Sequence, residues 1–186
     1  MNDPAKTILI VEDEAIIAMQ EIRTLEEEGY KVIYAAYGED AIEIVRSGQD
    51  EINLILMDID LGSGMDGTDA AREILKDHDI PVVFLSSHTE KQIVDKTEEI
   101  TSYGYVHKNS GETVLTASVR MAFRLFDAYR NIQHQKTEIE TANKKLNSTI
   151  AELHSAIETL KSTNEKFEAV NESLTHSQVE LKKREE

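Results

Sequence analysis

The run Asn53-Leu54-Ile55-Leu56-Met57-Asp58-Ile59-Asp60 limits the possible folds more than any other stretch. It is short and apolar, bounded by Asn53 and by the glycine-rich segment 61–67. A run of this length between turn signals reads as a strand buried on both faces, the usual state in a parallel sheet. Such a strand needs strand neighbours on either side and helices over both faces. Asp58 then falls at its C-terminal end, where open α/β sheets place their ligands. Taken alone, Asp58 is equally well placed to open the following turn. The rest of the chain decides.

Four further runs complete a set of strands: Thr7–Val11, which ends on Glu12-Asp13, then Lys31–Ala35, Ile80–Leu85 and Tyr103–His107. Pro81 is tolerated at a strand start. The intervening segments carry apolar residues at helical spacing. Glu14–Glu28 has Ile16, Ile17, Met19, Ile22 and Leu25 and is closed by Gly29; Glu39–Arg46 ends at Ser47-Gly48. Thr68–His78 sets Ala70, Ala71, Ile74 and Leu75 on an inner face, with Thr68 as its cap. Thr89-Glu-Lys-Gln92 has the form of a capping box opening a helix to about Ile100. After Gly111 neither Pro nor Gly occurs, so one helix is expected from about Glu112 to the C-terminus. Strands alternating with helices imply a doubly wound, five-stranded parallel sheet with right-handed crossovers and helices on both faces.

Length and charge narrow the function. A chain of 186 residues suits one ordinary domain plus an appendage. It has no cysteine, which excludes disulfides and thiolate metal sites. Met1–Lys6 is too short and polar for a signal peptide, and no apolar run approaches the roughly 18 residues of a membrane span. A cytoplasmic protein without membrane contact is expected. The net charge of −16 is uneven: residues 1–128 carry 11 Lys and Arg against 26 Asp and Glu, and the remainder 9 against 10. The first part repels a phosphate backbone and the second lacks a basic stripe, which argues against nucleic-acid binding. Most of the acidity reads as solvated surface; where carboxylates converge, it reads as cation binding.

With the first and third strands adjacent, Glu12, Asp13 and Asp58 converge at one edge. Three close carboxylates resist being ionised together unless a cation offsets them. Oxygen-only ligands favour a hard ion, Mg²⁺ above all, which keeps several waters and awaits phosphate oxygens. Asp13 alone would also serve as a helix N-cap. Ser86 and Lys108 follow the fourth and fifth strands on the same edge, and a hydroxyl and an ammonium both suit the oxygens of a phosphoryl group.

These residues, in this order, resemble the receiver domain of two-component response regulators over about Lys6–Ala128. The resemblance rests on Ile-Val-Glu12-Asp13, on Met57-Asp58 followed by Met65-Asp66-Gly67, on Pro81-Val-Val-Phe-Leu-Ser86-Ser87, and on Gly104-Tyr105-Val-His-Lys108. It implies that Asp58 accepts a phosphoryl group from the phosphohistidine of a histidine kinase or phosphotransfer protein. It also implies Mg²⁺ held by Asp13, Asp58 and the main-chain carbonyl of Asp60, with Glu12 acting mainly through water on the metal. Ser86 would then move to meet the phosphoryl group and free space for Tyr105 to turn inward. Tyr105 reads equally well as an ordinary half-buried strand tyrosine.

Two departures stand out. Asn109 follows the lysine where family members usually carry proline, so a trans bond is expected, a cis bond before a non-proline residue costing about 2.5–4 kcal/mol. The loop 61–67 is also one residue longer than usual and lacks the common proline. Two rival readings remain. A haloacid dehalogenase-type phosphatase also forms an aspartyl phosphate, and Asp58-Ile-Asp60 mimics its signature. Against it, the required acidic pair after the lysine is missing: only Glu112 and Asp127 occur between Lys108 and Ala128. The other rival is a dimerising scaffold with a vestigial pocket.

From Leu125 every seventh residue is apolar: Leu125, Ile132, Ile139, Leu146, Leu153, Leu160, Phe167, Leu174 and Leu181. With these at d, the a positions are Tyr129, Lys136, Asn143, Ile150, Ile157, Asn164, Asn171 and Gln178. Leu at d with Asn recurring at a reads as a parallel, two-stranded coiled coil over 129–186, hence a homodimer. The alternative is a long helix folded back on its own domain. Extended from Glu112, the helix would reach on the order of 110 Å. The arrangement suits the front of a longer protein of histidine-kinase type, or a piece ending within a linker. His134, His154 and His176 lack the neighbourhood of a kinase phosphoacceptor.

Overall fold

The structure is a computed structural model, and it describes residues 6–62, 64–87 and 102–185, with side chains as far as 177. Five strands form one parallel sheet: β1 Thr7–Val11, β2 Lys31–Ala35, β3 Leu54–Asp58, β4 Val82–Ser86 and β5 Gly104–His107. Their order is β2-β1-β3-β4-β5, so β1 and β3 are neighbours, the condition on which the carboxylates converge. The order reverses direction beside β1, which places the crevice for ligands at the C-terminal ends of β1 and β3. The helices are α1 Ala15–Glu27, α2 Gly38–Ser47, α3 Gly67–Leu75 and α4 Glu112–Glu185, with a 3₁₀ turn at Lys108–Ser110.

Side chains alternate across the pleat and build two cores. Leu9, Val11, Ile55 and Met57 pack with α2 and α3 residues such as Ile42, Val45 and Ile74. Ile8, Ile10, Leu54 and Leu56 pack on the other face with Leu25 of α1 and Leu115, Val119 and Phe123 of α4. Every residue of β1, β3 and β4 is buried, which is why these strands read as unbroken apolar runs.

In α1, Ile16 is 85% and Met19 71% exposed, whereas Ala18, Glu21, Thr24 and Leu25 are buried, so the packed face follows the 18-21-25 spacing. Two local expectations need correction. The cap of α3 is Asp66, whose carboxylate accepts from Thr68 N at 2.8 Å, and the helix stops at Leu75. The Asn53–Asp60 run pairs as a strand only over Leu54–Asp58, although Ile59 N still donates to Leu85 O at 3.1 Å. The helix expected over 89–100 lies outside the described residues.

The chain divides into two units, 1–130 and 131–186. In the second, every residue whose side chain is described is exposed, the heptad residues Ile132, Leu146, Leu153 and Leu160 included. No described helix is long and apolar enough to cross a membrane.

Candidate functional site

Parallel strands end on the same side, so β1, β3, β4 and β5 bring Glu12, Asp13, Asp58, Ser86 and Lys108 to one edge. Carboxylate oxygens of Glu12, Asp13 and Asp58 lie within 4.8 Å of one another. Glu12, Asp58 and Ser86 are buried and Asp13 is exposed, leaving the cluster accessible from one side. Lys108 enters from the turn after β5. Its Nζ donates to Asp58 Oδ2 at 2.8 Å and to Glu12 Oε1 at 2.9 Å, and stands 2.7 Å from Glu12 Oε2. The last contact is one of charge, since Oε2 has no aligned hydrogen bond. Asp60 N donates to Asp58 Oδ1 at 3.2 Å, and Glu14 N to Glu12 Oε1 at 3.1 Å.

The electrostatics follow from burial. Desolvation raises the Glu12 pKa, opposed by the hydrogen bond from Lys108, with the charge of Asp58 pushing it further up. Asp58 is likewise raised by desolvation against the hydrogen bond and charge of Lys108. Burial pulls the Lys108 pKa down, but its bonds to Asp58 and Glu12 outweigh this and raise it. One ammonium thus faces three carboxylates. Their all-oxygen donor set and close spacing fit a hard divalent ion such as Mg²⁺.

The structure adds contacts that the sequence reading did not assign. Gly67 N donates to Ile59 O, and a Cβ at Gly67 would overlap the Asp58 carbonyl oxygen, so glycine is required behind the acid. Tyr34 donates to the Glu12 carbonyl at 3.0 Å, and Met65 N to Glu39 Oε1 at 3.1 Å, anchoring the loop after Asp60. Glu21 is buried beside a cavity of about 140 Å³, which Lys108, Thr24, Leu85 and Val106 also line. Its Oε2 has no hydrogen-bond partner among the described residues. Tyr105 is 43% exposed on β5, its ring stacked at 5.9 Å on Phe84, and its hydroxyl accepts from Ser102 at 2.7 Å. No described peptide bond is cis, that before Asn109 included.

Residues 8–120 match the response regulator receiver domain family. The chain belongs to that family. The transcriptional regulatory protein PdtaR of Mycobacterium tuberculosis is 28% identical over 144 residues, 77% of this chain and 67% of PdtaR. The sensor kinase CckA of Brucella abortus is 31% identical over 115 residues, 61% of this chain but 12% of CckA. A solved structure, the N-terminal domain of a response regulator/sensory box/GGDEF 3-domain protein from Carboxydothermus hydrogenoformans, shares 48% identity at a TM-score of 0.62. It covers 67% of this chain, which covers 98% of it. Receiver domains are modules of two-component signalling that interact with histidine kinases or phosphotransfer proteins.

Proposed function

We propose that this receiver domain takes a phosphoryl group onto Asp58 from the phosphohistidine of a histidine kinase or phosphotransfer protein. The observation that carries the reading is the Lys108 ammonium held at 2.8 Å from Asp58, inside a cluster of three carboxylates at the switch point of the sheet. A carboxylate is a poor nucleophile toward an already anionic phosphoryl group, so positive charge has to be in place first. Asp13, Asp58 and the Asp60 carbonyl would hold Mg²⁺, with Glu12 acting through water, and the ion supplies charge against the phosphoryl oxygens. Asp58 forms the new oxygen–phosphorus bond as the bond to the donor imidazole breaks, and the imidazole takes a proton from solvent. Lys108 stays beside the acceptor and offsets the charge that gathers on the phosphoryl oxygens.

Ser86, buried at the end of β4, would meet the new phosphoryl oxygens, and Tyr105 on the paired strand would follow it inward. Exposed Ile16 and Met19 on α1, close in sequence to Asp13, offer the donor an apolar docking patch. The coil would join two copies and carry the change onward, a reading supported by the heptad register from Leu125. Since the chain matches receivers, the haloacid dehalogenase-type reading is set aside. Acetyl phosphate with and without Mg²⁺ tests the proposal. A receiver takes up one equivalent slowly and only with Mg²⁺; continuous turnover of a generic phosphate ester would mean a phosphatase, and no uptake a vestigial pocket.

A further inference from the structure

The segment 34–39, the end of β2 and the start of α2, gives no carboxylate to the cluster of Glu12, Asp13 and Asp58, yet it reaches their surroundings twice. The Tyr34 hydroxyl donates to the Glu12 carbonyl at 3.0 Å, so a side chain of the neighbouring strand ties down the peptide that joins Glu12 to Asp13. Glu12 N donates back to Ala35 O at 3.2 Å. Burial, and after it the negative charges of Glu12 and Asp13, hold the Tyr34 pKa above the usual phenol value, so the hydroxyl keeps the proton it donates.

Glu39 makes the second contact. Its Oε1 accepts from Met65 N at 3.1 Å. Gly64, at φ +114°, turns so closely round this carboxylate that a Cβ would stand 3.2 Å from Oε1. The same loop borders Asp13, because a Cβ at Gly62 would come within 2.6 Å of Asp13 Oδ2. On its inner side the loop is tied by buried Leu61 and by the bond from Gly67 N to Ile59 O. Between those ties Glu39 holds it from outside.

We infer that Tyr34 and Glu39 are positioning residues, which hold the Glu12–Asp13 peptide and the loop after Asp60 where Mg²⁺ meets Asp13 and the Asp60 carbonyl. The inference rests on the reading of the cluster as a Mg²⁺ site. Neither side chain touches the ion; each narrows the arrangements open to a group that does. A site assembled in only a fraction of the molecules binds with an affinity reduced by that fraction. Mg²⁺ is sensitive to this because it demands near-ideal octahedral geometry. Lys108 comes from beyond β5, at the edge of the sheet opposite β2, and its bonds to Glu12 and Asp58 involve neither residue. The effect therefore falls on metal affinity and not on the transfer step.

Four variants of the full chain test this: Tyr34→Phe, Glu39→Ala, Glu39→Gln and Asp40→Ala. Glu39→Gln keeps an acceptor for Met65 N without the charge. Asp40 shares the first turn of α2 with Glu39, so Asp40→Ala matches the loss of charge at the helix start. Calorimetry gives the Mg²⁺ dissociation constant, and uptake from acetyl phosphate is followed across Mg²⁺ concentrations. Tyr34→Phe and Glu39→Ala should each weaken Mg²⁺ binding by about three- to tenfold. Glu39→Gln and Asp40→Ala should stay close to wild type, and uptake at saturating Mg²⁺ should change little in all four. Wild-type affinity in either Tyr34→Phe or Glu39→Ala would overturn the inference and leave the metal reading intact. Equal weakening in Asp40→Ala would also overturn it, since general charge would then suffice. A wild-type chain that binds no Mg²⁺ would remove the metal reading and the inference together.

Discussion

Burial makes the Glu21 carboxyl a weak acid. Its pKa rises to about 8, chiefly through desolvation and next through the negative charge of Glu12, with Lys108 pulling the other way. Because the folded value lies above the ordinary 4.5, folding favours the protonated form. That contribution is complete below the unfolded value, falls as pH climbs toward 8, and is lost above it. Glu21→Gln keeps the neutral shape, so its stability relative to wild type should grow in urea titrations from pH 5 to pH 8.5, by on the order of a few kcal/mol. An unchanged difference across that range would mean that Glu21 is ionised when folded. Asp13→Asn should weaken Mg²⁺ binding and phosphoryl uptake together, since it removes one of few anionic ligands. Unchanged Mg²⁺ affinity by calorimetry would exclude the ligand role. The pocket acids were legible because each ends an apolar run. Glu21 was not: it sits among polar residues of a surface helix, and only its 18-21-25 register marks it as facing inward.

At the scale of elements, β1, β3 and β4 were legible because burial on both faces leaves their interiors wholly apolar, while the edge strands β2 and β5 keep exposed positions. The apolar spacing in α1 left its inner face open, since one helical period offers two overlapping apolar faces, and the sheet selects that of Ala18 and Leu25. The face left over has a use in the proposal. Ile16→Asp should reduce transfer from a phosphorylated histidine protein severalfold while leaving uptake from acetyl phosphate unchanged. Equal loss with both donors would place Ile16 in the fold or the pocket instead of at a docking surface. The cap of α3 was assigned to Thr68 because a hydroxyl preceded the apolar spacing, yet Asp66 reaches both Thr68 N and Thr68 Oγ1 at 2.8 Å. Gly67 shows the other kind of blindness: that it backs onto Asp58 is a tertiary fact with no local signal.

For the whole molecule, the proposed coil is a matter of sequence register, and on that proposal the complement of its apolar stripe is a second copy of the chain. Leu146, Ile150, Leu153, Ile157 and Leu160 form the stretch where both a and d are apolar, and parallel pairing sets Asn143, Asn164 and Asn171 each against its own copy. Replacing Leu153 and Leu160 by Ala should cost about 2 kcal/mol or more per side chain and shift sedimentation toward monomer. A full chain that sediments as a monomer before any substitution would end the dimer proposal. The account as a whole stands on Asp58. Its most direct test is the intact mass of the full chain after incubation with acetyl phosphate and Mg²⁺, wild type beside Asp58→Asn. The wild type should gain one phosphoryl group and the variant none; an Asp58→Asn chain that still gains one equivalent would contradict the account.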